Sequence, residues 1–145
     1  MIVGDLALAT AALFAGAASY ISFVEQPARL RLSSGAMLSE WQPAYKRGTA
    51  MQAPLAILGF ILGLVSWWQT REAAWLVGSV LMVANWPYTL FVIMPVNKRL
   101  MTTDVAAAST ETGDLVGRWG ALHAGRTALG IAAMISFLVA LAITG

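Results

Sequence analysis

The chain is organised by where charge is missing. Leu6 to Val24 carries no charged side chain, and neither do Gly48 to Thr70, Ala73 to Asn97, or Thr127 to Gly145. Each window is close to the ~20 residues that an α-helix needs to cross ~30 Å of hydrocarbon. Backbone amides find no water inside a bilayer, so such segments must satisfy their own hydrogen bonds as helices. The pattern predicts four transmembrane helices, near Asp5–Glu25, Pro43–Gln69, Ala74–Met94 and Leu122–Thr144. Together they make one all-α domain over residues 1–145, an integral membrane four-helix bundle.

Small residues recur inside the spans. Ala7, Ala11, Ala15 and Ser19 repeat every fourth position, and Gly59 and Gly63 form a GxxxG. Both patterns give smooth faces for close helix packing, within one bundle or between copies of it. Self-association is therefore a further expectation. The first segment reads as a span rather than a signal peptide, because Met1-Ile-Val-Gly-Asp5 lacks a positive leader region.

Basic residues are distributed unevenly. The first loop holds Arg29, Arg31, Lys46 and Arg47, and the third holds Lys98, Arg99 and Arg118, with Arg126 just inside the last span. The second loop holds only Arg71. By the positive-inside rule the first and third loops face the cytoplasm and both termini lie on the other side. The expected location is a bacterial cytoplasmic (inner) membrane, crossed several times. Trp67, Trp68 and Trp75 flank the short second loop and fit an aromatic belt at the outer interface. In the first loop Pro27 is expected to open a short helix and Gly35 to stop it. A helical stretch after Ser39 then merges into the second span through Pro43, with a kink expected at Pro54. Thr102 to Gly113 reads as a mobile polar connection.

Polar and aromatic residues gather at one end of these helices. The first span ends in Glu25-Gln26-Pro27-Ala28-Arg29; the second is entered through Trp41-Gln42-Pro43 and passes Gln52; the third ends in Met94-Pro95-Val96-Asn97. The fourth opens with Trp119, His123 and Arg126, which share one helical stripe at i, i+4 and i+7. An arginine at this depth is costly against lipid, so it should face inward, pair with a carboxylate, or reach the headgroups. Glu25 is the carboxylate available to Arg126 or to His123, and the sequence does not choose between them. Deeper down, Asn85-Trp86-Pro87-Tyr88 interrupts the third span. Pro87 removes a backbone donor and is expected to kink the helix, while Trp86, Tyr88 and Phe91 could wall an apolar pocket for a flat ligand.

Composition narrows the chemistry. The chain has no cysteine and one histidine, which excludes thiolate chemistry and leaves no ligand pattern for a dedicated metal site. Basic residues form no run or stripe, so a nucleic-acid partner is not expected. The expected partners are membrane lipid and a small hydrophobic aromatic ligand. What remains is ligand binding or chemistry without a cofactor. His123 is the best general base, since an imidazole titrates near neutral pH. Arg126 and Asn97 could donate to an oxyanion as it forms. An activated phenol or anthrone, once deprotonated in a dry site, is electron-rich enough to meet O₂ without a metal.

Several short motifs in sequence carry a likeness. They are Pro27-Ala28-Arg29, Trp41 with Met51-Gln52, Met94-Pro95-Val96-Asn97-Lys98-Arg99-Leu100, and Trp119-Gly120-Ala121-Leu122-His123-Ala124-Gly125-Arg126. In this order the chain resembles the DUF1772 family, whose named members include anthrone-oxygenase-like proteins. The resemblance implies a four-helix membrane protein and, for the polyketide-pathway members, oxidation of anthrones to anthraquinones without a recognised cofactor. It places that role on Asn97, His123 and Arg126. The expected site is thus His123, Arg126, Asn97 and Glu25 for chemistry, with Trp119, Trp41, Gln52, Trp86 and Tyr88 contacting substrate. The alternative is a non-enzymatic membrane subunit whose polar cluster binds a partner, a lipid headgroup or a quinone.

The charge asymmetry gives a direct test of topology. An alkaline phosphatase fused after Gly145 should be active in a bacterial host, and a fluorescent protein fused there should stay dark. The opposite pair of results would invert the orientation.

Overall fold

Four helices account for almost all of the backbone in the computed structural model, which describes residues 1–145. They are α1 (Ile2–Arg29), α2 (Ser34–Thr70), α3 (Ala73–Thr102) and α4 (Thr110–Thr144), each long and apolar enough to cross a membrane. The protein is accordingly an integral, multi-pass membrane protein. Helices α1 and α3 each pack on α2 and α4, the up-down-up-down arrangement of a four-helix bundle. The large side chains left exposed, such as Leu13, Phe23, Ile61, Val80, Phe91 and Leu138, are apolar. In a bilayer these are the lipid-facing surface.

The helices outrun the expected spans. At 37 residues α2 is about 55 Å long, well beyond the hydrocarbon thickness. Gly35 lies in its first turn instead of stopping a helix, and the helix runs unbroken through Pro43 and Pro54. The third connection shrinks as well. α3 continues to Thr102, a 3-10 turn occupies Val105–Ala107, and α4 starts at Thr110 under a capping box made by Ser109 and Thr112. Hydropathy had marked only the part of each helix that suits lipid. The extensions are amphipathic and pack on one another, through Met37, Leu38, Trp41, Val96, Leu100, Val116 and Trp119.

Two helices loosen at the same level. A π turn occupies Ile21–Glu25 in α1 and another occupies Thr89–Ile93 in α3. Each is followed, one residue on, by a proline: Gln26-Pro27 and Met94-Pro95. A proline inside a helix has no N–H to give and its ring crowds the carbonyl four residues back. Relaxing the preceding turn to i→i+5 relieves that crowding. An extra residue in the turn also rotates everything beyond it, which re-aims Glu25, Gln26 and Asn97 relative to a regular helix. Pro87 sits within regular helix, and the loosening lies beyond it.

The core divides in two. Toward the α2–α3 hairpin lie Ala7, Ala11, Phe14, Ala18, Ala56, Trp75, Met82, Ala133, Phe137 and Ala140. This is where the small residues go. Ala7, Ala11 and Ala15 are buried inside the bundle, and a methyl added at Gly63 or Gly78 would run into Phe137. The packing faces read from the sequence thus serve the interior of one bundle. Trp75 is fully buried beside Phe137 and is no belt residue, whereas Trp68 is exposed, with Arg71 stacked 4.1 Å from its ring. The second core is the apolar cap formed by the helix extensions. Between the two cores lies a polar layer.

The close approach at Phe137 makes a stability prediction. Gly78→Ala should destabilise the protein by about 1–3 kcal/mol, because the added methyl overpacks a filled core. Gly16→Ala, with no atom within 4 Å of the new carbon, should be neutral or better. Thermal unfolding in detergent compares the two.

Candidate functional site

The polar layer is assembled from all four helices. Ser22 and Glu25 come from α1, Tyr45, Thr49 and Gln52 from α2, Asn85 and Asn97 from α3, and His123, Arg126 and Thr127 from α4. Position along α4 sets its depth. Arg126 lies about 27 Å of helix from Thr144, near one edge of the hydrocarbon. The layer is not the open end of a bundle, because the apolar cap closes over it.

Arg126 is the exceptional member. It is 9 % exposed and forms no ion pair. Its Nη2 donates to Gln52 Oε1 at 3.1 Å, its guanidinium lies 5.6 Å from the Phe14 ring, and its Nε has no partner at all. Neither pairing offered by the sequence occurs. Glu25 instead binds Arg29, which also takes Glu40 and Gln26. Arg29 is thereby paired with two carboxylates in a part-buried cluster that includes the bond from Gln26 Nε2 to the Val116 carbonyl. Arg126 has no carboxylate in contact with it.

His123 is buried and stacks on Trp119, with ring centroids 4.9 Å apart. Its Nδ1 lies 3.2 Å from Ser22 Oγ, and no protein group bonds its Nε2. Trp119 also orients Asn97, donating through Nε1 to Asn97 Oδ1 at 2.9 Å. That bond consumes the amide oxygen and leaves the Asn97 NH₂ as the group it can offer. Trp41 stands behind Trp119, in edge contact with it and stacked on Tyr45.

Two cavities meet here. The smaller, about 30 Å³, is walled by Glu25, Gln52, Asn97, Trp119, His123 and Arg126 among others. It holds about one water-sized molecule. The larger, about 120 Å³, is walled by Ala53, Ala56, Asn85, Trp86, Leu90 and Met94, and shares Tyr45, Thr49 and Arg126 with the first. Trp86 and Leu90 are exposed on the bundle surface, so this cavity lies against the lipid-facing side between α2 and α3. The Trp86 indole donates to the Ala53 carbonyl at 3.2 Å and ties the two helices across it.

Six of the nine expected residues therefore converge on the small cavity, and Trp86 lines the large one. Trp41 supports from behind. Tyr88 lies elsewhere: its hydroxyl donates to the Leu122 carbonyl at 2.6 Å, over Gly125. Phe91 points out, at 80 % exposure. Asn85 does not cap the carbonyl that Pro87 leaves free; its NH₂ donates to the Leu81 and Met82 carbonyls, and its Oδ1 is unpartnered. Sequence reasoning missed Ser22, Tyr45, Thr49 and Thr127. Thr127 was in reach, being one turn beyond His123 on the same stripe. Ser22 was in reach as well, one turn beyond Ala18 on the small-residue face of α1.

A family model described as anthrone oxygenase matches residues 41–136. The match includes Gln52, Asn97, Trp119, His123 and Arg126 and leaves α1 outside it. No curated protein and no solved structure matches the chain. With most of its length covered by that model, and with the helical membrane bundle in which the residues lie, the chain belongs to the anthrone oxygenase (DUF1772) family.

Proposed function

We propose that the protein is a membrane-embedded oxygenase that acts on flat aromatic carbon acids, anthrone- or quinol-like, and uses no cofactor. The observation that carries this is the buried guanidinium of Arg126, which lacks a carboxylate and faces the same small cavity as His123 and Asn97. Burying an unpaired cation is costly, and sites that do so hold an anion at some stage of their work.

In this scheme one ring of the substrate lodges in the larger cavity and the rest projects between α2 and α3 toward lipid. A cavity of about 150 Å³ takes a benzene ring, so about 120 Å³ is room for no more than one. Trp86 flanks the ring at the mouth. His123 Nε2 takes a proton from the activated CH₂ carbon, and the electron pair passes to the conjugated oxygen as an enolate. Arg126, steadied by Gln52, and the Asn97 amide hold that oxygen. The enolate gives one electron to O₂, and the resulting substrate radical and superoxide combine through a new C–O bond. The peroxide recovers the proton from His123. Loss of the second hydrogen and cleavage of the O–O bond then release water. One CH₂ and one O₂ become one C=O and one H₂O. Trp119 and Trp41 form the back wall that keeps the imidazole in place, and Glu25, bound to Arg29, serves as the fixed negative charge of the cavity rim.

The non-enzymatic alternative loses ground on one point. His123, Asn97 and Arg126 are buried, so a small ligand such as a quinone suits that reading better than a protein partner.

Purified protein should consume O₂ with anthrone faster than the uncatalysed background. His123→Ala should lower the rate by a factor of about 10²–10⁴ and Arg126→Met by about 10²–10³. Wild-type turnover in either variant would sink its assignment; absence of uptake by the wild type, with a quinone found by mass spectrometry, would favour the binding reading. Stability should move the other way. Arg126→Met removes an unpaired buried charge and should raise the unfolding temperature in detergent, by the equivalent of about 1 kcal/mol or more.

A further inference from the structure

We infer that Ser22 and Thr127 fix the tautomer of His123, placing its proton on Nδ1 and leaving Nε2 as a bare acceptor. The inference follows from counting hydrogens. The Ala18 backbone carbonyl can only accept, and we assign it the single hydrogen of the Thr127 hydroxyl, 3.1 Å away; the other use of that hydrogen, toward Ser22 Oγ, would free Ser22 to donate to His123 Nδ1 and is the outcome that histidine labelling distinguishes. Thr127 Oγ1 also lies 2.8 Å from Ser22 Oγ, and with its own hydrogen committed it must be the acceptor. The single hydrogen of Ser22 is thereby committed to Thr127. Ser22 Oγ then meets His123 Nδ1 at 3.2 Å with only lone pairs to offer, so Nδ1 must carry the proton.

The chain of donors runs one way, from the ring through two hydroxyls to a carbonyl that cannot reverse it. It crosses three times between α4 and α1, and Ser22 lies one turn beyond the buried Ala18 on the same face of α1. Thr127 is 4 % exposed, so water does not compete for its bonds. Ser22 and Thr127 are positioning residues: they act through the imidazole. The catalytic consequence, that Nε2 is ready to take a proton, rests on the proposed function. The tautomer itself does not.

The chain has one histidine, so protein labelled with ¹⁵N in histidine alone gives the signals of a single imidazole. In the wild type, in detergent at mildly alkaline pH, Nδ1 should show the protonated type of shift and Nε2 the unprotonated type. In Thr127→Val the last hydroxyl is gone, Ser22 is free to turn its hydrogen toward Nδ1, and the Nε2–H form should gain roughly three- to ten-fold, the weight of one hydrogen bond. Thr127→Ser keeps a hydroxyl and should restore the wild-type spectrum, which also shows that the site tolerates substitution. A wild-type ring protonated at Nε2, whether alone or at both nitrogens, would overturn the inference, as would a Thr127→Val spectrum unchanged from wild type. Anthrone-dependent O₂ uptake should lose kcat and keep KM in Thr127→Val and recover in Thr127→Ser. If the tautomer shifts and uptake does not, the relay stands and His123 falls as the base.

Discussion

A guanidinium with no counter-ion, held at the edge of the hydrocarbon, sets the conditions that the rest of the structure meets. Arg126 needs shelter from lipid, and the bundle gives it Gln52, the face of Phe14, and two cavities. It also needs its neighbours not to neutralise it. The two carboxylates that come nearest to the layer, Glu25 and Glu40, are drawn off by Arg29. That second arginine binds both acids and is itself packed against Trp119. The positive charge of Arg126 is preserved because another arginine takes the acids.

The shape of the bundle follows from prolines placed alike on two helices. Pro27 and Pro95 each follow a π turn, and the two turns bracket the small cavity through Ile21, Glu25 and Ile93. A regular α-helix would leave α1 and α3 with other residues on the inner face beyond these points. The distortion that Pro27 and Pro95 impose is what brings Glu25 and Asn97 to one wall with residues of α2 and α4.

Much of this was legible in the chain because lipid simplifies the code. Windows without charge fixed four helices, and the stripe Trp119, His123, Arg126 fixed an inward face of α4. The same stripe, extended one turn each way to Val116 and Thr127, would have shown the cap and the relay. What failed was partner choice. Glu25 was matched to Arg126 or His123 on supply alone, yet it has Arg29 four residues away on its own helix, and a local pair forms first. Loop lengths failed for a related reason: hydropathy ends where lipid ends, whereas a helix ends where its caps are, at Ser33, Thr103 and Ser109. Trp75 was counted as interfacial because it neighbours Trp67 and Trp68 in sequence, but Gly4 and Gly78 make room for the indole and for Phe137 beside it in the core.

The hairpin-side core has a consequence for the membrane itself. A histidine, an arginine and a file of hydroxyls inside a membrane protein are the materials of a proton wire, and a wire through a bilayer would discharge it. This one is a dead end. Past Ala18 the core is alanine, phenylalanine, methionine and tryptophan; the hydroxyls of Thr10, Ser66 and Ser79 are folded back onto their own helices, and that of Ser136 is spent on the Ala74 carbonyl. The hydrogen-bonded file from the imidazole ends at the Ala18 carbonyl. The acid–base groups of the layer thus have an apolar half-bundle between them and the α2–α3 hairpin.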